Sequence, residues 1–130
     1  MRHLNKIIIT GGSSGIGFSI VKNFLKKSYK VLCLSRTKPN IESSNLIFIK
    51  VDLSKKNQLM KIKNDIIKFN PKYLVCNAAD LGEINYFAKA NIHKWEKSFF
   101  LNLFSHAYIT KFRSEEHTSE LQSQSTISYA

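Results

Sequence analysis

TGGSSGIG, residues 10–17, lies between an apolar run and a segment of helical periodicity. The residues before it, KIIIT (6–10), form a short β-branched run that is typical of a buried parallel strand. After it, apolar residues recur at helical spacing through Lys27 and predict an amphipathic helix. The apolar face of that helix is Ile16, Ile20, Val21, Phe24 and Leu25. A glycine-rich turn between a strand and a helix predicts a unit that binds the phosphates of a nucleotide.

The glycines of this turn are suited to a pyrophosphate. They permit a tight turn and a close approach of the backbone, while the N–H groups and positive end of the next helix attract the phosphates. The residues predicted to contact a dinucleotide here are Gly11, Ser13, Ser14, Gly15, Ile16 and Gly17. A P-loop is excluded because no Lys-Ser or Lys-Thr pair follows the glycines. A glycine-rich turn without a ligand is the alternative.

Strand-like and helix-like segments alternate along the rest of the chain. The further predicted strands are 30–35, 46–51 and 73–77, and the further predicted helices are 53–69 and 91–112. Ser54 is the predicted N-cap of the first of these helices. The apolar faces of the two helices are Leu59, Ile62, Ile66 and Phe69, and Trp95, Phe99, Leu103 and Tyr108. This alternation predicts a doubly wound α/β fold with a parallel sheet.

The formal net charge of +11 raises the possibility of a nucleic-acid partner. Lysines are scattered along the chain without an arginine cluster or interleaved aromatic residues, so A/T-rich codon usage is the better explanation. The apolar run Ile7–Ile9 is too short for a signal peptide, and no apolar run has the length of a membrane span. We therefore expect a cytoplasmic protein that binds neither nucleic acid nor membrane.

Cysteine and histidine placement indicates no metal centre. Cys33 and Cys76 lie in apolar, strand-like segments and are predicted to be free, buried thiols. The histidines show no metal-ligand spacing with one another or with the cysteines. Each is expected to be solvated or on a helix surface: His3, His93, His106 and His117.

Four motifs, in this order, resemble those of the classical short-chain dehydrogenase/reductase family. They are TGGSSGIG, VDLS (51–54), LVCNAA (74–79) and WEKSFFLNLFS (95–105). The resemblance implies a Rossmann-like fold over residues 1–112. It also implies that Asp52 bonds the adenine amino group and that Leu53 flanks the adenine ring.

The motif LVCNAA differs in part from the family's L-V-N-N-A-G. Asn77 and Ala78 match the family pattern, whereas Cys76 and Ala79 depart from it. By resemblance, Asn77, Ala78 and Ala79 are predicted to contact the cofactor. Alanine in place of the last glycine needs a slightly roomier backbone near the adenosine ribose.

The end of the second strand, LSRT (34–37), bears on the choice of cofactor. An acidic side chain there would bond the ribose 2′-hydroxyl of NAD and repel a 2′-phosphate. This chain has Ser35 and Arg36 instead, and a guanidinium pairs with a phosphate dianion in fork geometry. The sequence therefore favours NADP(H) over NAD(H). A solvated loop arginine is the alternative for Arg36.

The resemblance implies an enzyme that interconverts an alcohol and a carbonyl in a small molecule. Asn102 matches the family's asparagine that holds a water in its proton relay, while the family's Ser and Tyr-x-x-x-Lys lie beyond that helix. No lysine follows Lys111, so the chain as written is expected to be an inactive fragment of an intact, homo-oligomeric parent. A non-catalytic NAD(P)-binding regulator on the same fold is the alternative.

Residues 113–130 differ in composition from the rest of the chain. Residues 1–112 contain 17 Lys and 11 Asn, whereas residues 113–130 contain neither. RSEEHTSELQS and the terminal ISYA can both be encoded by a common short-read sequencing adapter, in one frame and separated by room for a barcode. We expect a tail that is not native and has no fixed structure. A genuine solvated tail is the alternative.

Sequencing source DNA with long reads across the codons of Phe112 and Arg113 tests this boundary. We expect the frame to continue into a further strand, a Ser and a Tyr-x-x-x-Lys, because the composition changes at Arg113. Independently amplified DNA that encodes R-S-E-E-H-T at this point would contradict the prediction.

Overall fold

A computed structural model describes residues 5–80 and 86–116. Over these residues the strands are β1 (Lys6–Thr10), β2 (Lys30–Ser35), β3 (Leu46–Lys50) and β4 (Tyr73–Val75). They form a parallel sheet in the order β3-β2-β1-β4. The four predicted strands are confirmed, although the third and fourth end earlier than predicted, at Lys50 and Val75.

Helices alternate with the strands as predicted. They are α1 (Gly15–Lys26), α2 (Lys56–Lys61), α3 (Lys63–Phe69), α4 (Ile92–Phe99) and α5 (Ser105–Glu116). A short 3₁₀ turn spans Phe87–Lys89, and a π-helical segment at Phe100–Phe104 joins α4 to α5. The chain builds outward from β1 to β3 and then returns to place β4 on the other side of β1. This is the Rossmann-like, doubly wound architecture that the sequence predicts.

Strand β1 lies in the middle of the sheet and pairs on both edges. Ile8, for example, is opposite Leu32 of β2 and Leu74 of β4. Successive side chains of a strand point to opposite faces, so β1 contributes to two cores. On one face Ile7 and Ile9 pack with Val21 of α1. The apolar run in the sequence follows from this burial on both faces.

The second core lies on the other face of the sheet. Helices α2, α3 and α5 cover Ile8 and its neighbours there. The buried contributors from these helices and the segment between α2 and α3 are Leu59, Ile62, Ile66, Phe69, Ile109 and Phe112. The apolar face predicted for residues 53–69 is therefore confirmed.

The single helix predicted over residues 53–69 is wrong. The helix is interrupted at Ile62, where φ is −99° and ψ is 5°. The Ile62 N–H there donates a hydrogen bond to the Leu59 carbonyl, three residues earlier, in a tightened turn. Ser54 is not the N-cap, because its N–H and hydroxyl both donate to the Asp52 carboxylate. Lys55 holds the N-cap position of α2 instead.

The long helix predicted over residues 91–112 is confirmed, with an irregularity that the sequence did not indicate. Asn91 caps its start by accepting from the His93 N–H. In the π-helical segment the Ser105 N–H donates to the carbonyl five residues earlier, that of Phe100. The Leu101 carbonyl accepts from the Ser105 hydroxyl at 2.7 Å. A side chain thus supports the widened turn.

Helix α5 continues to Glu116, past the predicted boundary at residue 112. Residues 117–130, most of the predicted tail, lie outside the described residues. The boundary between residues 112 and 113 stays a prediction. Within residues 5–80 and 86–116, no helix combines the length and apolarity needed to cross a membrane. Cys33 and Cys76 are free thiols, the first buried and the second half-buried.

Truncating Ile66 tests how much the second core contributes. Its side chain is 0% exposed, whereas that of Ile47 on the edge strand β3 is 38% exposed. We expect Ile66→Ala to lower the free energy of unfolding by about 2–5 kcal/mol, because it leaves a cavity. Ile47→Ala should cost about 1 kcal/mol or less. Urea unfolding of both variants measures this, and equal losses would contradict the assignment of the core.

Candidate functional site

An open cleft of about 890 Å³ lies at the carboxyl ends of the strands. Parallel strands end at one edge of a sheet, so the turns after β1, β2, β3 and β4 meet there. Of the predicted site residues, the cleft is lined by Gly11, Ser13, Ser14, Ile16, Gly17, Ser35, Arg36, Asp52, Leu53, Asn77, Ala78 and Ala79. Gly15 and Asn102 are not in its lining.

Two glycines of the first turn are required for different physical reasons. Gly15 has φ +57°, in the left-handed region, and a Cβ built there meets no heavy atom within 4 Å. Glycine is required at this position because other residues rarely adopt this backbone conformation. A Cβ on Gly17 would overlap the Gly11 carbonyl oxygen and the Asn77 side-chain nitrogen. Gly17 therefore lets the start of α1 pack directly against the turn.

The start of α1 is open to an anion. Ser14 holds the N-cap position in an extended conformation, and no described side chain caps the helix there or adds an acidic group to its first turn. The first-turn N–H groups and the positive helix end therefore lie beside the cleft. Ile16 was predicted on the apolar face of this helix and also as a contact of the cofactor. It is 76% exposed and lines the cleft.

Thr10, at the end of β1, organises the turn that follows β4. Its hydroxyl oxygen accepts from the backbone N–H of Asn77 at 3.0 Å and of Ala78 at 2.9 Å. The Asn77 side-chain amide in turn donates to the Gly11 carbonyl at 3.0 Å. The turns after β1 and β4 are thereby held together at the floor of the cleft.

Asp52 lies after β3, with Leu53 buried beside it. The carboxylate accepts from the Ser54 N–H at 3.0 Å and from the Ser54 hydroxyl at 2.6 Å. Partial burial raises the pKa of Asp52, but these hydrogen bonds and the charges of Lys97 and Arg36 outweigh it. The net pKa is below the ordinary value of 3.8, so the group is an anion at neutral pH.

The turn after β2 presents one charged side chain to the cleft. Ser35 is buried, and its hydroxyl donates to the Thr37 carbonyl at 2.7 Å. Arg36 is exposed and lines the cleft. Lys94 and Lys97 of α4 line the same cleft from its other wall. The cleft is therefore lined by two acidic residues, Asp52 after β3 and Asp80 after β4, and by cations from two separate elements.

Asn102 lies in the π-helical segment and contacts the loop after β4. Its side-chain oxygen accepts from the Asp80 N–H at 2.9 Å, and its amide donates to the Asp80 carbonyl at 3.1 Å. Asp80 itself lines the cleft. Asn102 therefore fixes one wall of the cleft through the main chain, and its catalytic role stays a prediction.

The prediction for His106 is wrong. Its side chain was expected to be solvated, but it is 5% exposed, and its Nε2 lies 3.0 Å from the Thr10 hydroxyl oxygen. Burial lowers the pKa of His106, although a hydrogen bond to the Asn102 main chain works in the opposite direction. His93 is exposed as predicted. His3 and His117 lie outside the described residues.

Sequence reasoning missed several residues of the site. Gly12 is a packing glycine, because a Cβ there would lie 2.7 Å from a Val21 methyl and 2.8 Å from the Cys33 sulfur. Lys94 and Lys97 stand three residues apart in a predicted helix, a spacing that places them on one face. Only the packing of α4 shows that this face borders the cleft. Within the described ranges, no cluster of three metal-ligating side chains occurs.

Comparison with known families identifies relatives of this arrangement. The family model described as short chain dehydrogenase matches residues 5–123. An uncharacterized oxidoreductase of Schizosaccharomyces pombe is 32% identical over 108 residues, which are 81% of this chain and 37% of that protein. The chain thus spans well under half the length of this relative.

Solved structures show the same fold. A short chain dehydrogenase family protein from Francisella tularensis superimposes with a TM-score of 0.78 at 25% identity, over 88% of this chain and 47% of that one. A short chain dehydrogenase from Leptospira borgpetersenii, solved with bound NAD⁺, gives a TM-score of 0.74 at 22% identity. That match covers 86% of this chain and 45% of the other.

The lowered pKa of His106 predicts acid sensitivity. The unfolded chain takes up a proton near the ordinary histidine pKa of about 6.5, whereas the folded chain keeps the ring neutral to lower pH. The stabilising contribution of neutral His106 to the free energy of unfolding is therefore complete above about pH 6.5. It is lost as the pH drops toward the pKa that His106 has in the folded chain. Urea midpoints between about pH 8 and pH 5 measure this loss.

Two variants serve as controls for that measurement. His106→Gln should flatten the pH dependence in this window more than His93→Gln does, which removes an exposed imidazole from α4. Asp52 titrates below 3.8 and so falls outside the window. An undiminished loss in His106→Gln would show that another group is responsible.

Proposed function

The chain belongs to the short-chain dehydrogenase/reductase family, and from that membership we propose that it is the cofactor-binding part of an NADP(H)-dependent oxidoreductase. The intact enzyme interconverts an alcohol and a carbonyl in a small molecule. The observation that carries the proposal is the cleft, since predicted contact residues from the turns after all four strands of the described sheet line it together. Residues far apart in sequence converge where this fold binds its ligands.

The first turn fits a pyrophosphate. The phosphates bind at the start of α1, in the loop Gly11–Gly17, where the helix has its first-turn N–H groups and positive end. The close packing at Gly17 and the left-handed backbone at Gly15 shape the loop for this approach. When bound, the nicotinamide ring of the cofactor supplies or accepts a hydride.

The adenosine end lies at the turns after β3 and β4. Asp52, an anion already held by Ser54, accepts from the adenine amino group, and the buried Leu53 forms the apolar wall beside the ring. Ala78 and Ala79 flank the ribose. Both line the cleft, and their small side chains leave room for a sugar there.

The NADP(H) preference is supported by charge. Arg36 lines the cleft after β2, where an acidic residue would disfavour a 2′-phosphate, and Ser35 keeps its hydroxyl on the Thr37 carbonyl. Lys97, on the opposite wall, acts on the same Asp52 carboxylate as Arg36 does. Two cations therefore lie within electrostatic range of one point in the cleft. The Leptospira protein has bound NAD⁺, so family membership alone does not determine this preference.

The reaction needs groups that this chain does not contain. We propose that Asn102 belongs to the proton relay, whose other members in the family are a Ser and a Tyr-x-x-x-Lys. We propose that residues 1–130 by themselves bind the cofactor without turning over a substrate. A phenol with an ordinary pKa of about 10 is a poor base at neutral pH without a neighbouring cation.

An exposed apolar surface on the long C-terminal helical stretch bears on the oligomeric state of the intact protein. Phe99, Leu103 and Phe104 form an exposed apolar stripe on α4 and the π-helical segment. We propose that this stripe packs in a homo-oligomer of the intact protein, because contiguous apolar surface of this kind marks interfaces.

We also propose a cytoplasmic location and no nucleic-acid or membrane partner.

Fluorescence titration of the chain with NADPH and NADH tests the cofactor preference. We expect tighter binding of NADPH, and Arg36→Gln should weaken it about tenfold or more, because a charge-assisted hydrogen bond is lost. Binding of NADH should stay within about twofold, since NADH has no 2′-phosphate for the guanidinium to meet.

Lys68→Gln is the matched control, since it removes an exposed cation from α3, away from the cleft. It should change neither titration. Equal affinity of the wild type for both cofactors, or an equal effect of Arg36→Gln on both, would contradict the NADP(H) assignment. Binding of neither cofactor would contradict the proposed function as a whole.

A further inference from the structure

His106 is a buried polar residue that the proposed function does not use. It lies on α5, 96 residues after Thr10 in sequence, and its ring reaches the hydroxyl at the end of β1. A buried imidazole is costly unless its ring nitrogens are hydrogen-bonded. The partners of these nitrogens therefore indicate what the ring does.

The hydrogen bonds at Thr10 determine which ring nitrogen carries the proton. A hydroxyl has one hydrogen and two lone pairs, and the N–H groups of Asn77 and Ala78 occupy the lone pairs. The hydroxyl hydrogen is left for His106 Nε2 at 3.0 Å, since the Val75 carbonyl is farther away at 3.5 Å. Nε2 must then be an acceptor, so the ring is neutral with its hydrogen on Nδ1.

The other side of the ring meets the π-helical segment. The imidazole forms a hydrogen bond with the main chain of Asn102, which a hydrogen on Nδ1 can donate to the carbonyl. Asn102 in turn holds Asp80 through both side-chain atoms. The loop after β4 is thus held at two points, at Asn77 and Ala78 through Thr10 and His106, and at Asp80 through Asn102, which lies one turn before His106 in the same helical stretch.

We propose that His106 is a positioning residue, which as a neutral Nδ1–H imidazole fixes Asn102 relative to the Thr10 hydroxyl and so holds the two walls of the cleft in register. The value of this positioning for cofactor binding rests on the proposed function. The hydrogen-bond arrangement itself does not.

Histidine suits this place because both ends of its ring are polar. Leucine fills similar space but accepts nothing, so the Thr10 hydroxyl would be left with only the more distant Val75 carbonyl at 3.5 Å as its acceptor. Glutamine can place its amide oxygen near the position of Nε2 and accept from Thr10. His106→Gln should therefore keep the hydrogen bond from the Thr10 hydroxyl that His106→Leu removes.

The first experiment is long-range ¹H–¹⁵N NMR on the histidine rings of the ¹⁵N-labelled chain at neutral pH. We expect His106 to show a single neutral tautomer with the hydrogen on Nδ1. The exposed His93, whose Nδ1 lies 3.6 Å from a Glu96 carboxylate oxygen, provides the reference spectrum of a surface ring. A hydrogen on Nε2, or an averaged pattern for His106, would overturn the proposal. Thr10→Val should weaken the preference for this tautomer, because only the Asn102 main chain then favours it, and Thr10→Ser, which keeps the hydroxyl, should retain it.

The second experiment measures NADPH affinity in position-106 variants, with circular dichroism to confirm folding. We expect His106→Leu to weaken binding about tenfold, the equivalent of one buried hydrogen bond, and His106→Gln to stay within about threefold. His93→Leu is the matched control and should match the wild type. Equal affinities of His106→Leu and wild type would overturn the positioning role.

The two proposals fail in different ways. If the wild-type chain binds no dinucleotide but His106 shows the expected tautomer, the proposed function fails and the Thr10–His106–Asn102 arrangement stands. If the chain binds NADPH and the ring carries its hydrogen on Nε2, the function stands and the inference fails. If His106→Leu does not fold, two measurements still test the positioning role. They are the tautomer of His106 in the wild type and in Thr10→Ser, and the NADPH affinity of His106→Gln.

Discussion

The backbone beyond β4 leaves the sheet with N–H groups that need partners, and the Thr10 hydroxyl supplies the acceptor for them. Asn77 and Ala78 donate to it just past the last paired residue of β4. A buried N–H without a partner costs free energy comparable to a lost hydrogen bond. The turns after β1 and β4, two of the four strand-end turns that line the cleft, are therefore fixed to one another by this one oxygen.

Much of this architecture could be predicted from the sequence, because its signals are local. KIIIT and KVLCLS are apolar without interruption since both faces of these strands are covered, and the glycines of residues 11–17 stand where strand gives way to helix. The break at Ile62 could not be predicted, since the apolar spacing of Leu59, Ile62 and Ile66 continues across it. The burial of His106 depends on an acceptor–donor pair 96 residues apart, which no local pattern reports.

Charge in the cleft is organised in a way that the net charge of +11 does not reveal. Most lysines are spread over the surface, but Arg36, Lys94 and Lys97 line one cleft together with the open end of α1. The Asp52 carboxylate stands among them and stays ionised through its bonds to Ser54. A basic sequence thus contains a local site that suits a ligand with separate anionic and hydrogen-bond-donating parts.

The π-helical segment sets the rotational phase between α4 and α5. Closing a turn over five residues instead of four inserts one residue, which rotates everything beyond it by about 100° relative to a regular α-helix. Leu103 and Phe104, within the segment, are exposed, whereas Ile109 and Phe112, beyond it, are buried against the sheet. Deleting one residue here would regularise the helix and leave its second half facing the sheet, whereas winding the same residues into a regular α-helix would turn Ile109 and Phe112 away from the core. The widened turn therefore accommodates one extra residue without moving the buried face of α5.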